Sequence, residues 1–193
     1  LLLQLGVLLQ KRAWMERSAH RFYVDPEWLQ MQISRLPYRL TNAQQKAIQD
    51  IQNDLASGQP ANRLLQGDVG SGKTLVAALA VAIVVQAGAQ VALMAPTSIL
   101  AEQHCRNIGH WAGQLGLNAA LLTGSRKKAE RKEICEGIAC GDTGIVIGTH
   151  ALIQEEVNFR NLGLVIVDEQ HRFGVIQRAA LRGKGMHPDV LVM

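Results

Sequence analysis

The sequence predicts an α/β domain with a doubly wound parallel sheet, preceded by a short helical segment. Three observations carry that prediction. Short, continuous, β-branched apolar runs alternate with helical stretches through residues 37–193, the pattern of strands covered on both faces. Between one such run and a helix lies Gly67-Asp68-Val69-Gly70-Ser71-Gly72-Lys73-Thr74, which fits G-x-x-x-x-G-K-[ST]. A later run, Leu164–Val167, delivers Asp168 and Glu169 at its carboxyl end, the edge of an open parallel sheet where ligands sit.

Taken in order, residues 1–36 stand apart from the rest. Leu1, Leu2, Leu5, Leu8 and Leu9 recur at helical spacing, and Lys11, Arg12, Arg17 and Arg21 follow. Asp25-Pro26-Glu27 reads as a helix start, with Asp25 as N-cap and Pro26 in the first turn. These helices carry too little apolar surface to fold alone, so they are expected to pack against another element. Their basic residues suit a solvated face or, as the alternative, a nucleic-acid surface. We assign residues 1–36 to a helical linker from an upstream domain and 37–193 to one sheet domain.

Pro37 closes the first region. Thr41 then caps a helix whose inward face should carry Ala43, Ala47, Ile48 and Ile51, and Ser57-Gly58-Gln59-Pro60 ends it. Strands are expected at Arg63–Gln66, Gln90–Ala95, Ala119–Leu122, Gly144–Gly148, Leu164–Val167 and Val190–Met193. Helices are expected at Leu75–Val85, Ser98–Trp111 and Arg126–Ala139.

The two motifs carry the chemistry. Glycines let successive amides of the loop point at polyphosphate oxygens, and the following helix start adds partial positive charge. Lys73 is expected to reach the β- and γ-phosphates and the Thr74 hydroxyl to hold Mg²⁺. Adjacent buried carboxylates are costly without a compensating cation. Asp168 is therefore read as the second metal ligand and Glu169 as the group that orients the attacking water. The competing reading of Asp168 is a helix cap. His171 and Arg172 could couple the nucleotide to another surface.

Composition sets limits. The 193 residues are 48% apolar and 19% charged, a folded rather than a disordered chain. A net charge of +4 permits a nucleic-acid partner without demanding one. Cys105, Cys135 and Cys140 are odd in number and lack C-x-x-C spacing, so reduced, mostly buried thiols are expected. The apolar start has no basic region before it and no cleavage site after it, and Leu75–Val85 is too short to span a bilayer.

Asp168-Glu169-Gln170-His171 with a phosphate loop upstream resembles the box of superfamily 2 helicases of the DExH type. Further stretches match that superfamily in order. Leu40-Thr41-Asn42-Ala43-Gln44 resembles the glutamine motif, which implies that Gln44 contacts adenine. Pro96-Thr97-Ser98, Thr123-Gly124-Ser125 and Thr149-His150 resemble its three strand-contacting loops. Within the superfamily, Asp168 to Gly174, Ala101-Glu-Gln-His104 and Gly148-Thr-His-Ala-Leu-Ile-Gln154 are similar to the RecG family of bacterial branched-DNA helicases.

The resemblance implies a RecA-like, ATP-binding lobe that uses ATP and Mg²⁺ and contacts DNA by shape and backbone. It also implies a second motor lobe and a wedge domain in the parent chain, a cytoplasmic location, and no membrane. Family features beyond Met193, among them a Thr-Ala-Thr loop and an arginine finger, are expected outside these residues. These residues alone are then expected to bind nucleotide weakly and to turn it over negligibly. A transcription-repair coupling translocase is the near alternative, and a phosphate-loop kinase or switch the more distant one.

Overall fold

The computed structural model describes residues 19–36, 39–114, 117–169 and 175–193. Within them the chain runs α1 (Pro26–Ser34), α2 (Asn42–Ala56), β1 (Asn62–Leu64), α3 (Lys73–Gln86), β2 (Gln90–Met94), α4 (Ser98–Gln114), β3 (Ala119–Leu122) and α5 (Lys128–Cys140). It continues through β4 (Ile145–Gly148), a 3₁₀ turn (His150–Ile153), β5 (Leu162–Val167), α6 (Val175–Arg182) and β6 (Asp189–Val192). The strands form one six-stranded parallel sheet in the order β1-β6-β5-β2-β4-β3.

Alternation along the strands builds two cores. Val91, Leu93, Ile145, Ile147, Leu164, Ile166 and Leu191 face the side covered by α1, α2, α3 and α4. Ala92, Met94, Val146, Val165, Val167, Val190 and Val192 face α5, α6 and the 3₁₀ turn. Strands loaded on both faces explain the continuous apolar runs in the sequence. Val76 to Val84 of α3 are buried all round, because α2 and α4 flank that helix while the sheet lies beneath it. Each buried Val, Leu or Ile contributes roughly 1.5–3 kcal/mol, so packing rather than helix propensity fixes α3.

The described part of the first segment does pack on the sheet domain. Asp25 caps α1 by accepting from the Glu27 N–H at 2.9 Å, with Pro26 in the first turn. Phe22, Val24, Leu29 and Leu36 all join the core, and Phe22 lies directly over Gly163 of β5. Backbone bonds from Ala19 to Gly58 and from Phe22 to Leu55 fasten it to the end of α2. The expected helix over the opening leucines lies outside the described residues, as do Pro37 and Tyr38.

Three expectations need correction. Ala43 is exposed, and the inward face of α2 is Ile48, Ile51 and Leu55, because the capping turn points Ala43 outward. The strand expected at Arg63–Gln66 is the short edge strand Asn62–Leu64, since the chain leaves the sheet for the glycine loop. Cys140 is exposed, while Cys105 and Cys135 are half-buried with burial pushing both thiols up. Helix α6 and the 3₁₀ turn have no counterpart among the expected elements: each is short, with Leu181 and Leu152 fully buried on them.

Candidate nucleotide site

The glycine loop hangs from the edge strand. Leu65 donates to the Val192 carbonyl at 2.7 Å, extending the β1–β6 pairing one residue before the chain turns away. The loop ends at Gly72, whose φ of +84° is the left-handed conformation glycine adopts without strain. No side chain caps α3, so its first amides stay available to a ligand at the positive end of the helix dipole. Lys73 folds over the loop and donates to the carbonyls of Gly67 at 2.5 Å and Asp68 at 3.0 Å. Ser71 N–H closes the turn on the Asp68 carbonyl at 3.2 Å, and the Val69 side chain is fully exposed at its tip. Thr74 sits in the first turn of α3 beside Gly72.

Gln44 reaches this loop from α2. Its amide oxygen accepts from the Thr41 N–H at 3.0 Å, and its nitrogen donates to the Ser71 carbonyl at 2.9 Å. With Thr41 Oγ1 accepting from the Gln44 N–H, this is a capping box whose second residue also buttresses the loop. Contact with adenine would have to exchange these bonds.

The acid pair leaves the same edge of the sheet. Asp168 N–H donates to the Met94 carbonyl and Glu169 N–H to the Met193 carbonyl, which turn the chain off β5. Glu169 takes φ +53°, a left-handed conformation that costs a non-glycine residue about 1–2 kcal/mol, and those two bonds hold it there. One strand, β6, lies between β1 and β5, so the strands that carry the loop and the acids are two interstrand steps apart, roughly 9–10 Å. The structure also gives Asp168 a partner that sequence reasoning missed. His104 of α4 bonds its Oδ2 through Nε2 at 2.7 Å, both side chains being largely buried. The available signal was a polar residue within the inward stripe Ala101, His104, Ile108, Ala112. Gln170 and His171 lie outside the described residues.

The candidate strand-contacting loops follow β2, β4 and β3, contiguous strands on the far half of that edge. Thr97 caps α4 through Oγ1 to the Leu100 N–H at 3.3 Å, with Pro96 before it and Ser98 opening the helix. Thr123 is buried and bonds Ser125 at 3.0 Å. A Cβ at Gly124 would meet nothing nearer than His150 Nε2 at 3.9 Å, so these two loops adjoin and leave open space. The Thr149 hydroxyl is buried without a hydrogen bond, and His150 is exposed. Gly148 is required by packing, since a Cβ there would collide with the Leu122 carbonyl of β3.

The donor set fits a magnesium nucleotide. Loop amides and an ammonium suit a polyphosphate, while the Thr74 hydroxyl and an Asp168 Oδ1 without hydrogen bonds among the described residues suit a hard divalent ion. Among the described residues no cluster of three His, Cys, Asp or Glu is present.

The family profile of DEAD/DEAH box helicases matches residues 41–186, and the chain belongs to that family. Within it, the similarity is to ATP-dependent DNA helicase RecG. The chain is 49% identical to the Aquifex aeolicus protein over its whole length, covering 24% of that relative. It is 50% identical to the Bacillus subtilis protein, again over its whole length, covering 28%. A structure of RecG bound to a three-way DNA junction superposes with a TM-score of 0.87 at 45% identity, over all of this chain and 26% of the other. The chain thus spans about a quarter of these relatives. Among the described residues no helix is long and apolar enough to cross a membrane.

Proposed function

We propose that this chain is the ATP-binding lobe of an ATP-driven DNA helicase or translocase acting on branched DNA in recombination and repair in the bacterial cytoplasm. The observation that supports the reading is the shared sheet edge, with one strand, β6, between the strands that lead to the Gly67–Thr74 loop and the Asp168–Glu169 pair. The Gly67–Gly72 amides and Lys73 bind the phosphates, Gln44 meets the adenine, and Thr74 and Asp168 hold Mg²⁺. Bound there, Mg²⁺ neutralises charge on the β- and γ-phosphates. Glu169 orients the attacking water. Pro96, Thr97, Ser98, Thr123, Gly124, Ser125, Thr149 and His150 receive the DNA backbone. Hydroxyls and backbone amides bind phosphates without reading bases, which supports recognition by shape. We assign residues 1–36 to the linker from an upstream wedge domain, and a second motor lobe to the parent chain.

The test measures nucleotide affinity and ATP turnover in the full-length protein. Lys73→Ala should abolish nucleotide binding, whereas Glu169→Gln should leave affinity within about twofold and lower turnover by 10²-fold or more, at the low end of the ~10²–10⁴ that a positioned base supplies. Branched DNA should raise wild-type turnover, and added salt should suppress that rise. A Glu169→Gln enzyme with near-normal turnover would remove Glu169 from its role.

A further inference from the structure

His104 occupies a core position yet is polar, and its ring is explained by one bond. The stripe of α4 that faces the sheet is Ala101, His104, Ile108 and Ala112, and His104 is 7% exposed within it. Nε2 lies 2.7 Å from Asp168 Oδ2, while Nδ1 is buried with no hydrogen bond. A buried ring nitrogen without a partner costs stability, so apolar packing alone would favour leucine here. Among the described residues, the Asp168 carboxylate is the polar group that repays the histidine. Its Oδ1 carries no hydrogen bond among the described residues.

The helix that carries His104 begins at a candidate strand-contacting loop. Thr97 caps α4 through its hydroxyl, and the Ala101 N–H bonds the Thr97 carbonyl at 3.0 Å, so the loop is continuous with the first turn. His104 follows Ser98 by six positions, roughly 9 Å along the axis. A shift of α4 caused by a backbone phosphate at its first turn would carry the imidazole with it. The sheet order reinforces this: β2 adjoins β5, so the loop at Pro96–Ser98 and the carboxylate at Asp168 leave neighbouring strands.

We propose that His104 is a positioning residue that aims the Asp168 carboxylate for the divalent ion and ties that aim to the α4 start where nucleic acid docks. The inference rests on the nucleotide reading above. A hydrogen bond to one carboxylate oxygen fixes the rotamer and leaves the other oxygen for the metal, as partners behind metal ligands commonly do.

The test compares the affinity of a fluorescent ATP analogue with Mg²⁺ and with chelator, each with and without a single-stranded oligonucleotide. The wild type should bind tighter with Mg²⁺, and the oligonucleotide should change that Mg²⁺ increment. His104→Leu fills the site without a donor and should raise the Mg²⁺ concentration needed about tenfold. It should also erase the oligonucleotide's effect and leave affinity in chelator unchanged. His104→Asn, too short to bridge, should do the same and stands in should the leucine variant not fold. His104→Gln, long enough to donate, should restore part of both effects. His104→Leu or His104→Asn with wild-type Mg²⁺ dependence and oligonucleotide response overturns the inference alone. A wild-type affinity indifferent to Mg²⁺ overturns the nucleotide reading and this inference with it.

Discussion

At position 72 a side chain would meet two obstacles together. The backbone φ of +84° lies where L-residues are strained, and a Cβ would sit 2.4 Å from the Gln44 amide nitrogen. The first obstacle costs about 1–2 kcal/mol, and the second would break the bond that ties α2 to the loop. Gly72→Ala should therefore lower the unfolding free energy by roughly 1–3 kcal/mol and weaken nucleotide binding, read by chemical denaturation and by titration. That a glycine belongs here is legible in the sequence, because the loop motif is local and its spacing encodes its shape. The Gln44 contact was not legible, since it joins residues 27 positions apart through their tertiary arrangement. His104 escaped for a similar reason: the sequence shows a histidine in a helical stripe, and only the fold brings β5 beside it.

Among the elements, the β3–β4 pair depends on a missing side chain. Gly148 closes β4 against the Leu122 carbonyl, where a Cβ would lie 2.1 Å away. Backbone cannot yield as a flexible side chain can, so Gly148→Ala should cost about 1–3 kcal/mol by overpacking and should displace the Thr149–His150 loop with it. Thermal unfolding checks the cost, and weakened oligonucleotide binding checks the displacement. The central strands and α3 were readable because continuous apolar runs mark elements buried on both faces. The edge strand β1 and α6 were less so. β1 has one side open, with Leu64 62% exposed, and α6 is brief, with Leu181 fully buried on it. Strand order was not readable at all. Nothing in a linear pattern says that β6, the last strand, inserts between the loop strand and the acid strand.

For the molecule as a whole, one buried acid sets a pH dependence. Asp189 at the start of β6 is 2% exposed, and its Oδ1 accepts from the Ala61 N–H at 2.6 Å, joining β6 to the entry of β1. Burial pushes its carboxyl up to about 7, against the opposing pull of the Ala61 bond and with a smaller push from the Asp54 charge. The folded state then holds a proton that the unfolded chain releases near its ordinary value of 3.8, so stability falls as pH rises from about 4 to 7 and levels off above. Denaturant midpoints at pH 5 and pH 8 should differ by the equivalent of roughly 1–3 kcal/mol from this group. Asp189→Asn, which keeps an acceptor for Ala61, should flatten that difference. The candidate nucleotide residues lie on the β1-β6-β5 half of the sheet edge and the candidate strand-contacting loops on the β2-β4-β3 half, so one sheet presents both sides of the proposed motor. The most direct measurement of the central claim is a calorimetric titration of ATP into the wild type and Asp168→Asn, with and without Mg²⁺. Mg²⁺ should tighten the wild type about tenfold or more while leaving Asp168→Asn almost unmoved. An asparagine variant that gained as much from Mg²⁺ as the wild type would contradict the shared site.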